Sequence, residues 1–413
     1  MSKRFAIIGA GAAGCLCAIE IKRRCPDAVI DLYEAGTRPL AKVAVTGGGR
    51  CNLTNDFEGI RSLSEAYPRG DKLMKRLFHH FNHEDAVRWF EKEGVRFVTQ
   101  EDHCIFPVTQ DAMTIVRTLT RLIDRLGIQL HLKHKVYGIE RLMDQDQPAG
   151  FRLRFSSESL SPQECDVLVV TAGGFPRAGQ YSLFDSLDLE IMEPVPSLFA
   201  FNIEDVAMKE LAGAVVDPVT VGISGTKFKA EGPLLITDFG LSGPAILKLS
   251  SYAARHLHDQ GYVCQVNINW LGTMDRDEVL SLLQSSSSES GMKLLTSVHP
   301  KGLSSRLWRL IVSRSGIPAD LRWNALNKKH LNKLTETLVN DPVQISGKNK
   351  FKEEFVTCGG VSLSNLNLNT LEARNCPGLY FAGEIMDVDA ITGGFNLQAA
   401  WTTGYVVAEH CVR

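Results

Sequence analysis

Three glycines near the N-terminus have the spacing of a phosphate-binding turn. Gly9, Gly11 and Gly14 lie between an apolar run, Phe5–Ile8, and a helical pattern over about Ala12–Arg24. In such a turn the first glycine permits a tight bend, the second lets the backbone approach a pyrophosphate, and the third lets helix and strand pack closely. The helix N-terminus then offers N–H groups to the phosphates. The alternative is a strand-to-helix turn without a ligand.

An acidic residue stands where a nucleotide ribose would be bound. Val29–Tyr33 is a second apolar run, and Glu34 follows it, twenty residues after Gly14. A carboxylate at the end of the second strand can accept both ribose hydroxyls of an adenosine. Strand, helix and strand within about thirty residues form the minimal parallel unit. The combination predicts a dinucleotide site.

A second glycine-rich segment, TGGGRCNLTN at residues 46–55, carries donors for a ligand. Consecutive glycines let the backbone lie flat against a ligand, at an entropic cost that needs compensation. Arg50 supplies a permanent positive charge, while Asn52 and Thr54 supply neutral hydrogen bonds. We therefore expect a binding loop, with a flexible surface loop as the alternative.

Two further strand ends carry glycines. The apolar run 166–171 ends on Gly173 and Gly174, where open α/β sheets place ligands. Near the C-terminus a strand ends on Gly383, and Glu384 can bind sugar or ribityl hydroxyls. A helix beginning near Asn396 would point its N–H groups at the site, which suits the negative charge of a reduced flavin. A plain strand–loop–helix is the alternative, but two such segments at opposite chain ends favour one extended ligand.

Composition excludes several classes of protein. The 413 residues include 45 basic and 47 acidic ones, for a net charge of −2, so we expect no nucleic acid as a main partner. The basic runs 72–76 and 327–333 are interpreted as solvated helix faces. Glycines interrupt the apolar N-terminus, which predicts no signal peptide, and no apolar stretch is long enough to predict a membrane span. The ten cysteines lack zinc spacing, so we expect reduced thiols and a cytoplasmic location, with a disulfide framework as the alternative.

The pattern of strand-like and helix-like segments along the chain predicts an α/β fold with a split Rossmann-like domain. We assign residues 1–196 and 345–413 to this discontinuous domain, because every dinucleotide motif lies there. Residues 197–344 form an insert, β-rich over 197–270 and mainly helical over 271–344, with a serine-rich loop at 285–290. We expect the insert to cap the cofactor ring and to form the substrate wall.

Together these motifs resemble the YhiN/BaiN-type family of bacterial flavoproteins. The resemblance rests on Gly9–Gly14 with Glu34, on 46–55, on the TDFGLSGP run at 237–244, and on GLYFAGEIMDVDAITGGFNLQAAW at 378–401. It covers nearly the whole chain, and it implies bound FAD, a split Rossmann-like domain, and an insert with a β-barrel part and a helical part. The residues that it implies for cofactor binding are Ala10, Gly11, Ala12, Ala13, Gly14, Glu34, Lys42, Thr46, Gly48, Gly49, Arg50, Asn52, Leu53, Thr54, Val136, Ala172, Gly173, Gly383, Glu384, Asp387, Gly394, Asn396, Leu397 and Gln398.

The predicted function is an FAD-dependent oxidoreductase that transfers a hydride between the flavin and a small organic substrate or NAD(P)H. NAD(P)H would bind only transiently, because the sequence has no second glycine motif for it. Cys51 has no partner within the next fifty residues, which excludes a disulfide reductase. The alternatives are a flavin-dependent tRNA-modifying protein and an FAD-binding protein without turnover. The sequence singles out no catalytic acid or base and no metal site.

Overall fold

The computed structural model describes residues 2–145, 147–349 and 356–413. The strands, in chain order, are β1 (Arg4–Ile8), β2 (Val29–Tyr33), β3 (Thr54–Asn55), β4 (Phe97–Thr99), β5 (Cys104–Pro107), β6 (Gln129–His131), β7 (Val136–Asp144), β8 (Gln147–Phe155), β9 (Gln163–Cys165), β10 (Val167–Val170), β11 (Ile191–Ser197), β12 (Phe201–Ile203), β13 (Val215–Ile223), β14 (Lys229–Ile236), β15 (Gly240–Ser242), β16 (Cys264–Asn269), β17 (Asp341–Lys348), β18 (Val356–Val361) and β19 (Leu379–Phe381).

The helices are numbered in the same way. They are α1 (Ala12–Arg24), α2 (Thr46–Gly49), α3 (Leu63–Ala66), α4 (Asp71–Leu77), α5 (His83–Lys92), α6 (Met113–Arg125), α7 (Val206–Lys209), α8 (Pro244–Tyr252), α9 (Ala254–Asp259), α10 (Arg276–Ser290), α11 (Ser305–Arg314), α12 (Lys328–Val339) and α13 (Phe395–Cys411). Short 3₁₀ turns lie at Ala178–Phe184, Leu295–Ser297, Trp323–Ala325, Leu363–Asn365 and Gly383–Ile385.

The chain divides into two compact units. The first comprises Met1–Pro196 with Val356–Arg413, and the second comprises Ser197–Phe355. The first unit is built around a five-stranded parallel sheet in the order β19-β10-β1-β2-β6. All four residues of β10 are buried, because a parallel sheet covered on both faces needs apolar side chains on each. The predicted Rossmann-like fold is confirmed.

The two ends of the chain meet in helices α1 and α13. A Cβ added to Gly404 of α13 would lie 2.5 Å from the carbonyl oxygen of Ala13 in α1, so the two helix backbones approach as closely as glycine allows. Both helices follow strands of the parallel sheet, α1 after β1 and α13 after β19. The parallel sheet therefore joins N- and C-terminal segments, as the motif positions predict.

The second unit contains a closed barrel of six strands in the order β12-β15-β14-β13-β16-β17. Its apolar core continues into the helices of the unit, where Trp308 and Trp323 stack with ring centroids 6.2 Å apart. The predicted boundary at residue 345 falls inside β17, which pairs with β12 and β16 as part of the barrel. The strand returns the chain to the barrel after the helical part, so this boundary was placed too early.

The predicted serine-rich loop at 285–290 is wrong, because these residues continue helix α10. Asp275 caps the helix and forms a capping box with Glu278. Val279 and Leu283, four residues apart, are both buried. Packing and capping together outweigh the modest helix propensity of serine.

Among the described residues, no helix is both long and apolar enough to cross a bilayer.

Candidate functional site

The glycine turn between β1 and α1 is shaped by close backbone contacts. Gly9 has a φ of +103°, and Gly14 could not carry a Cβ, which would lie 2.5 Å from Thr171 Oγ1 and closer still to the carbonyl oxygen of Gly9. A Cβ on Gly11, by contrast, would meet nothing within 4 Å. Two glycines therefore serve packing, and Gly11 faces open space where a ligand can approach the backbone.

The N-terminus of α1 is open to an anion. Gly11 occupies the N-cap and supplies no side-chain cap, and the first turn contains no acidic residue. Its N–H groups and the positive end of the helix dipole are therefore available to a phosphate. Ala10, Ala12 and Ala13, which also belong to the predicted set, are all buried here.

Glu34 lies directly after β2 and is tied to the glycine turn. Its Oε2 accepts a hydrogen bond from the Ala10 N–H at 3.0 Å, and its Oε1 accepts one from the Gly36 N–H at 2.7 Å. Each carboxylate oxygen keeps a further lone pair for a ligand. Glu34 also lines a cavity of about 300 Å³ together with Val136 and Ala172, so the structure brings these three predicted residues together.

The walls of this cavity include residues that sequence analysis missed. His134, Tyr137 and Phe175 line it beside Tyr33. Tyr33 packs against Phe155, with ring centroids 5.1 Å apart, and burial raises the pKa of its hydroxyl. Aromatic residues around a slot of this size suit a flat base. The available signal was Tyr33 itself, an aromatic residue beside the ribose-binding acid.

The TGGGRCNLTN segment begins with a turn that only glycine can adopt easily. Gly47, Gly48 and Gly49 have φ angles of 58°, 67° and 82°, all left-handed. A Cβ on Gly48 or on Gly49 would meet nothing within 4 Å. The turn, α2, therefore has open space beside the Cα atoms of Gly48 and Gly49, where a ligand could approach the backbone.

Arg50 follows this turn and is exposed. Its guanidinium lies 4.3 Å from the centroid of the Phe106 ring, and its Nε donates to the Gly47 carbonyl oxygen at 3.1 Å. A cation–π contact and one hydrogen bond therefore hold the side chain close to the glycine turn.

The same segment is bonded to the N-terminus of α13. With its amide oriented so that its oxygen accepts from the Gly394 N–H at 3.2 Å, Asn52 donates to the Thr54 carbonyl oxygen at 2.8 Å. Gly394 is left-handed and occupies the N-cap of α13 without a side-chain cap. The first turn of α13 contains no acidic residue. This helix thus offers a second positive N-terminus.

Several residues of the predicted set face the protein interior. Thr54 and Gln398 are fully buried, and the Thr54 hydroxyl donates to Gln398 Oε1 at 2.6 Å. The buried Leu53 carbonyl accepts from Trp401 Nε1 at 3.0 Å. Asn396 exchanges two bonds of 2.9 Å with the backbone of Ala390. The Thr54–Gln398 bond therefore joins the 46–55 segment to α13, and the Asn396 bonds join the residues before α13 to the helix.

Lys42 and Glu384 form an ion pair across 342 positions of the sequence. Lys42 Nζ lies 2.7 Å from Glu384 Oε2, while Glu384 Oε1 accepts from the Thr357 N–H at 3.0 Å. A Cβ on Gly173 would lie within 4.0 Å of both charged groups. The structure thus brings Lys42, Gly173 and Glu384 to one place, and Thr357 is a neighbour that the sequence did not indicate.

The loop after Glu384 is anchored by a buried ion pair that sequence analysis missed. Arg69 Nε donates to Asp389 Oδ1 at 2.5 Å, and the Asp389 side chain is fully buried. Asp387, two residues earlier, is half-buried, and its N–H donates to the Val361 carbonyl oxygen at 3.0 Å. Gly383 donates its N–H to Thr403 Oγ1 at 2.9 Å. The role of Arg69 could not be predicted from the sequence, because it is a single arginine far from the glycine motifs.

The TDFGLSGP run at 237–244 has a structural role. The Thr237 hydroxyl bonds both the N–H and the carbonyl oxygen of Gly240 at 3.0 Å, which closes the turn between β14 and β15. Gly243, with a φ of +91°, packs against the Pro233 carbonyl and leads into α8. The run therefore shapes the barrel of the second unit.

The cysteines of the site region are unreactive thiols. Cys51 follows Arg50, is fully buried, and has its pKa raised to about 12 by desolvation. Cys358 is also fully buried. All ten cysteines are free thiols. Since the thiolate is the nucleophile, Cys51 has no covalent role at neutral pH.

These features fit FAD. The α1 turn provides N–H groups for a pyrophosphate, Glu34 and an aromatic-walled cavity suit an adenosine, and the open glycine backbone of α2 leaves room for a ring. An FMN molecule would leave the Glu34 side of this arrangement unused, because it has no adenosine.

Comparison with known proteins supports the same assignment. The family model of the HI0933-like protein Rossmann domain matches residues 3–410. The ribosomal RNA dihydrouridine synthase of Escherichia coli strain K12 is 30% identical over 98% of this chain and 97% of its own length. The 3-dehydro-bile acid delta(4,6)-reductase of Clostridium scindens is 26% identical over 98% of each chain.

A solved structure shows the same fold. The 3-ketosteroid-delta4-(5alpha)-dehydrogenase from Rhodococcus jostii RHA1 aligns with 100% of this chain and 97% of its own, with a TM-score of 0.52 and 11% identity. The family match and the Escherichia coli relative both extend over nearly the whole sequence, which confirms the resemblance to the YhiN/BaiN-type flavoproteins. The chain therefore belongs to the HI0933-like family, and it is an FAD-dependent oxidoreductase with a Rossmann-type FAD-binding domain.

Proposed function

We propose that this protein reduces a carbon–carbon double bond conjugated to a carbonyl group, and that its substrate is a uracil base within ribosomal RNA. The observation that carries the proposal is the 30% identity to a ribosomal RNA dihydrouridine synthase over 98% of the chain. Forming dihydrouridine adds two hydrogens across the C5–C6 bond of uracil, which is conjugated to a carbonyl. The bile acid reductase named among the relatives acts on a different molecule by the same type of reaction.

We assign the predicted site residues to the parts of FAD. Gly11 to Gly14 and the N-terminus of α1 would hold the pyrophosphate, and Glu34 the adenosine ribose. The backbone of Gly48 and Gly49 would lie against the ring region, with Arg50 and the N-terminus of α13 supplying positive charge. Lys42 and Glu384 would bind ligand oxygens beside Gly173. Hydride transfer is the chemistry that FAD supplies.

The reducing equivalents come from NAD(P)H in this proposal. One NAD(P)H and one proton are consumed for each double bond, which becomes a single bond as NAD(P)⁺ is released. The first glycine motif is assigned to FAD, so NAD(P)H would bind transiently. Neither comparison names this donor, and it is tested below together with the substrate.

The overall net charge of −2 led us to expect no nucleic acid partner, but a net value averages over the whole surface. Charge that is segregated along the chain can still bind a polyanion. A substrate in ribosomal RNA also agrees with the cytoplasmic location that we infer from the free thiols. We assign substrate recognition to the second unit, because the dinucleotide motifs lie in the first.

The test is a direct product assay. Purified flavoprotein is incubated anaerobically with ribosomal RNA transcribed in vitro and with NADH or NADPH, and the RNA is digested to nucleosides for mass spectrometry. We expect dihydrouridine at a defined site. Protein stripped of its flavin serves as the control and should give none.

A parallel reaction uses a 3-keto-4,6-diene steroid as a small conjugated substrate. Reduction of the steroid without dihydrouridine in any ribosomal RNA would overturn the RNA part of the proposal and leave the reaction type standing. Reduction of neither substrate, with flavin bleached by NAD(P)H, would overturn both parts.

A further inference from the structure

Positive charge is concentrated in one segment of the second unit. Residues 291–335, here called the basic helical segment, contain nine lysines and arginines and one acidic residue, Asp320. The rest of the chain then holds 36 basic and 46 acidic residues. The net charge of −2 therefore hides a segment of net charge +8.

Eight of the nine cations point outward. Arg314 is the exception: it is half-buried and pairs with Asp205 and Asp341 inside the second unit. The exposed cations are Lys293, Lys301, Arg306, Arg309, Arg322, Lys328, Lys329 and Lys333. Arg306 and Arg322 donate to the carbonyl oxygens of Glu210 and Met292, contacts that leave their charge uncompensated.

Among the described residues, the eight exposed cations of the segment have no carboxylate partner, whereas several arginines elsewhere in the chain are paired. Arg88 pairs with Glu84 and Asp85 on α5, and Arg152 pairs with Glu140 and Glu164 on the β7–β8–β9 sheet. Within the described parts of the chain, none of the eight forms a salt bridge to a carboxylate. The exposed charge of the segment itself is therefore almost all positive, which is the electrostatic footprint of a polyanion-binding surface.

The helices of the segment turn their apolar faces inward and their cations outward. In α11 the buried side chains are Leu307, Trp308, Ile311 and Val312, whereas Arg306 and Arg309 are exposed. In α12 Lys329 and Lys333, four residues apart, are exposed. Like charges at these spacings repel one another and weaken a helix. A bound polyanion would remove that repulsion.

A membrane surface fits this segment less well than RNA does. An interfacial helix inserts an exposed apolar face between lipids, but the apolar faces of α11 and α12 are used in the core of the second unit. None of the exposed large hydrophobic residues lies on either helix. Met292 and Leu294 are exposed before α11, but the exposed side chains of α11 and α12 are cationic or polar apart from Glu336, which suits phosphates.

We propose that the exposed cations of the basic helical segment, centred on α11 and α12, form the surface on which RNA binds. The proposal rests on the proposed function in one respect, namely that the substrate base is part of an RNA chain. The surface binds the phosphate backbone and positions the RNA, and it carries no sequence information. Selection of the base is a separate property of the substrate site.

The experiment compares paired charge reversals. One variant carries Arg306→Glu with Arg309→Glu on α11, and a second carries Lys329→Glu with Lys333→Glu on α12. The matched control carries Lys72→Glu with Lys75→Glu on α4, because these lysines are likewise exposed and three residues apart. Binding of fluorescein-labelled oligouridylate is followed by anisotropy over a range of KCl concentrations.

We expect each segment variant to bind the oligouridylate at least about tenfold more weakly than wild type at low salt. The slope of log affinity against log salt should fall by about 0.7 for each phosphate contact that is lost. The control should keep the wild-type affinity and slope. Flavin absorbance, the unfolding temperature and flavin reduction by NAD(P)H should be unchanged in all three, which separates lost binding from lost folding.

Wild-type affinity and slope in both segment variants would overturn the proposal. So would an equal loss in the control, since the effect would then reflect net charge alone. Binding of the wild type to phosphatidylglycerol vesicles but not to oligouridylate would overturn it in favour of a membrane surface. If the variants lose RNA binding while no protein forms dihydrouridine, the surface stands and the proposed function fails. If the variants form dihydrouridine as efficiently as wild type, the proposed function stands and the surface fails.

Discussion

Replacement of Glu34 by glutamine tests the adenosine end of the site. The carboxylate accepts N–H bonds from Ala10 and Gly36 and lines the cavity that we assign to adenosine. Glutamine has nearly the same shape but loses the charge and turns one acceptor into a donor. Glutamine leaves one of the two backbone N–H groups without an acceptor, whereas alanine would leave both, so Glu34→Gln is the smaller change.

The expected loss follows from the type of bond removed. A hydrogen bond to a charged group contributes about 1.5–3 kcal/mol, against about 0.5–1.5 kcal/mol for a neutral one. Replacing one charged bond to the ribose by a neutral one should therefore raise the dissociation constant of FAD by about 5- to 13-fold. The binding of FMN, which lacks the adenosine, should change much less.

The assay is titration of flavin-free protein with FAD and with FMN, followed by the quenching of flavin fluorescence. Glu91→Gln on α5 is the matched control, because Glu91 is exposed and its substitution removes the same charge. An unchanged FAD dissociation constant for Glu34→Gln, with a wild-type circular dichroism spectrum, would refute the assignment of Glu34 to the ribose. A parallel loss of FMN affinity would show that the glycine turn itself had been distorted.

Four further predictions concern other parts of the site. Gly14→Ala should destabilise the fold by about 3 kcal/mol or more in urea unfolding, because its methyl group would overlap backbone atoms. Gly11→Ala should fold normally, because its methyl group would point into open space, and it should lose FAD affinity, because that space is the proposed phosphate site. Equal unfolding midpoints for Gly14→Ala and Gly11→Ala would contradict the proposal that Gly14 is required for packing. Arg50→Met should lower the two-electron flavin potential in a dye-coupled titration while FAD stays bound, because a positive charge favours the anionic reduced ring. Arg61→Met, which removes an exposed arginine elsewhere, is the control. An unchanged potential in Arg50→Met would mean that Arg50 contacts a phosphate or lies on the surface. Cys51, whose pKa is raised to about 12 by desolvation, should remain a neutral thiol at pH 8 and resist maleimide in the native protein. Rapid labelling without loss of fold would contradict this prediction, because it would mean that the thiol is accessible and reactive in the folded chain.

Local chemistry made the cofactor fold predictable. The spacing of Gly9, Gly11 and Gly14, with Glu34 twenty residues later, requires a backbone conformation and a charge that few other uses explain. The glycines of α2 follow the same logic, since three consecutive left-handed residues are tolerated only without side chains. Such constraints act within a few residues of the chain, so one sequence is enough to recognise them.

The direction of side chains was not predictable in the same way. Thr54, Asn396 and Gln398 have the chemistry of ligand donors, yet their polar atoms bond to the protein. Whether a hydrogen-bonding group faces a ligand or a neighbour depends on how two distant segments pack. The pair of Lys42 and Glu384, 342 positions apart, is a contact of that kind.

The α/β architecture, the dinucleotide turn and the dependence on FAD were predictable from the sequence, because these features follow from residue types at short, fixed spacings. The folded structure was needed to show that β17 closes the barrel, that residues 285–290 continue a helix, and that eight of the nine cations of residues 291–335 face outward with no carboxylate partner among the described residues. The physical reason is the range of the forces involved. Backbone conformation is set by neighbours in the chain, whereas burial and electrostatic pairing are set by neighbours in space, which the folded chain alone selects.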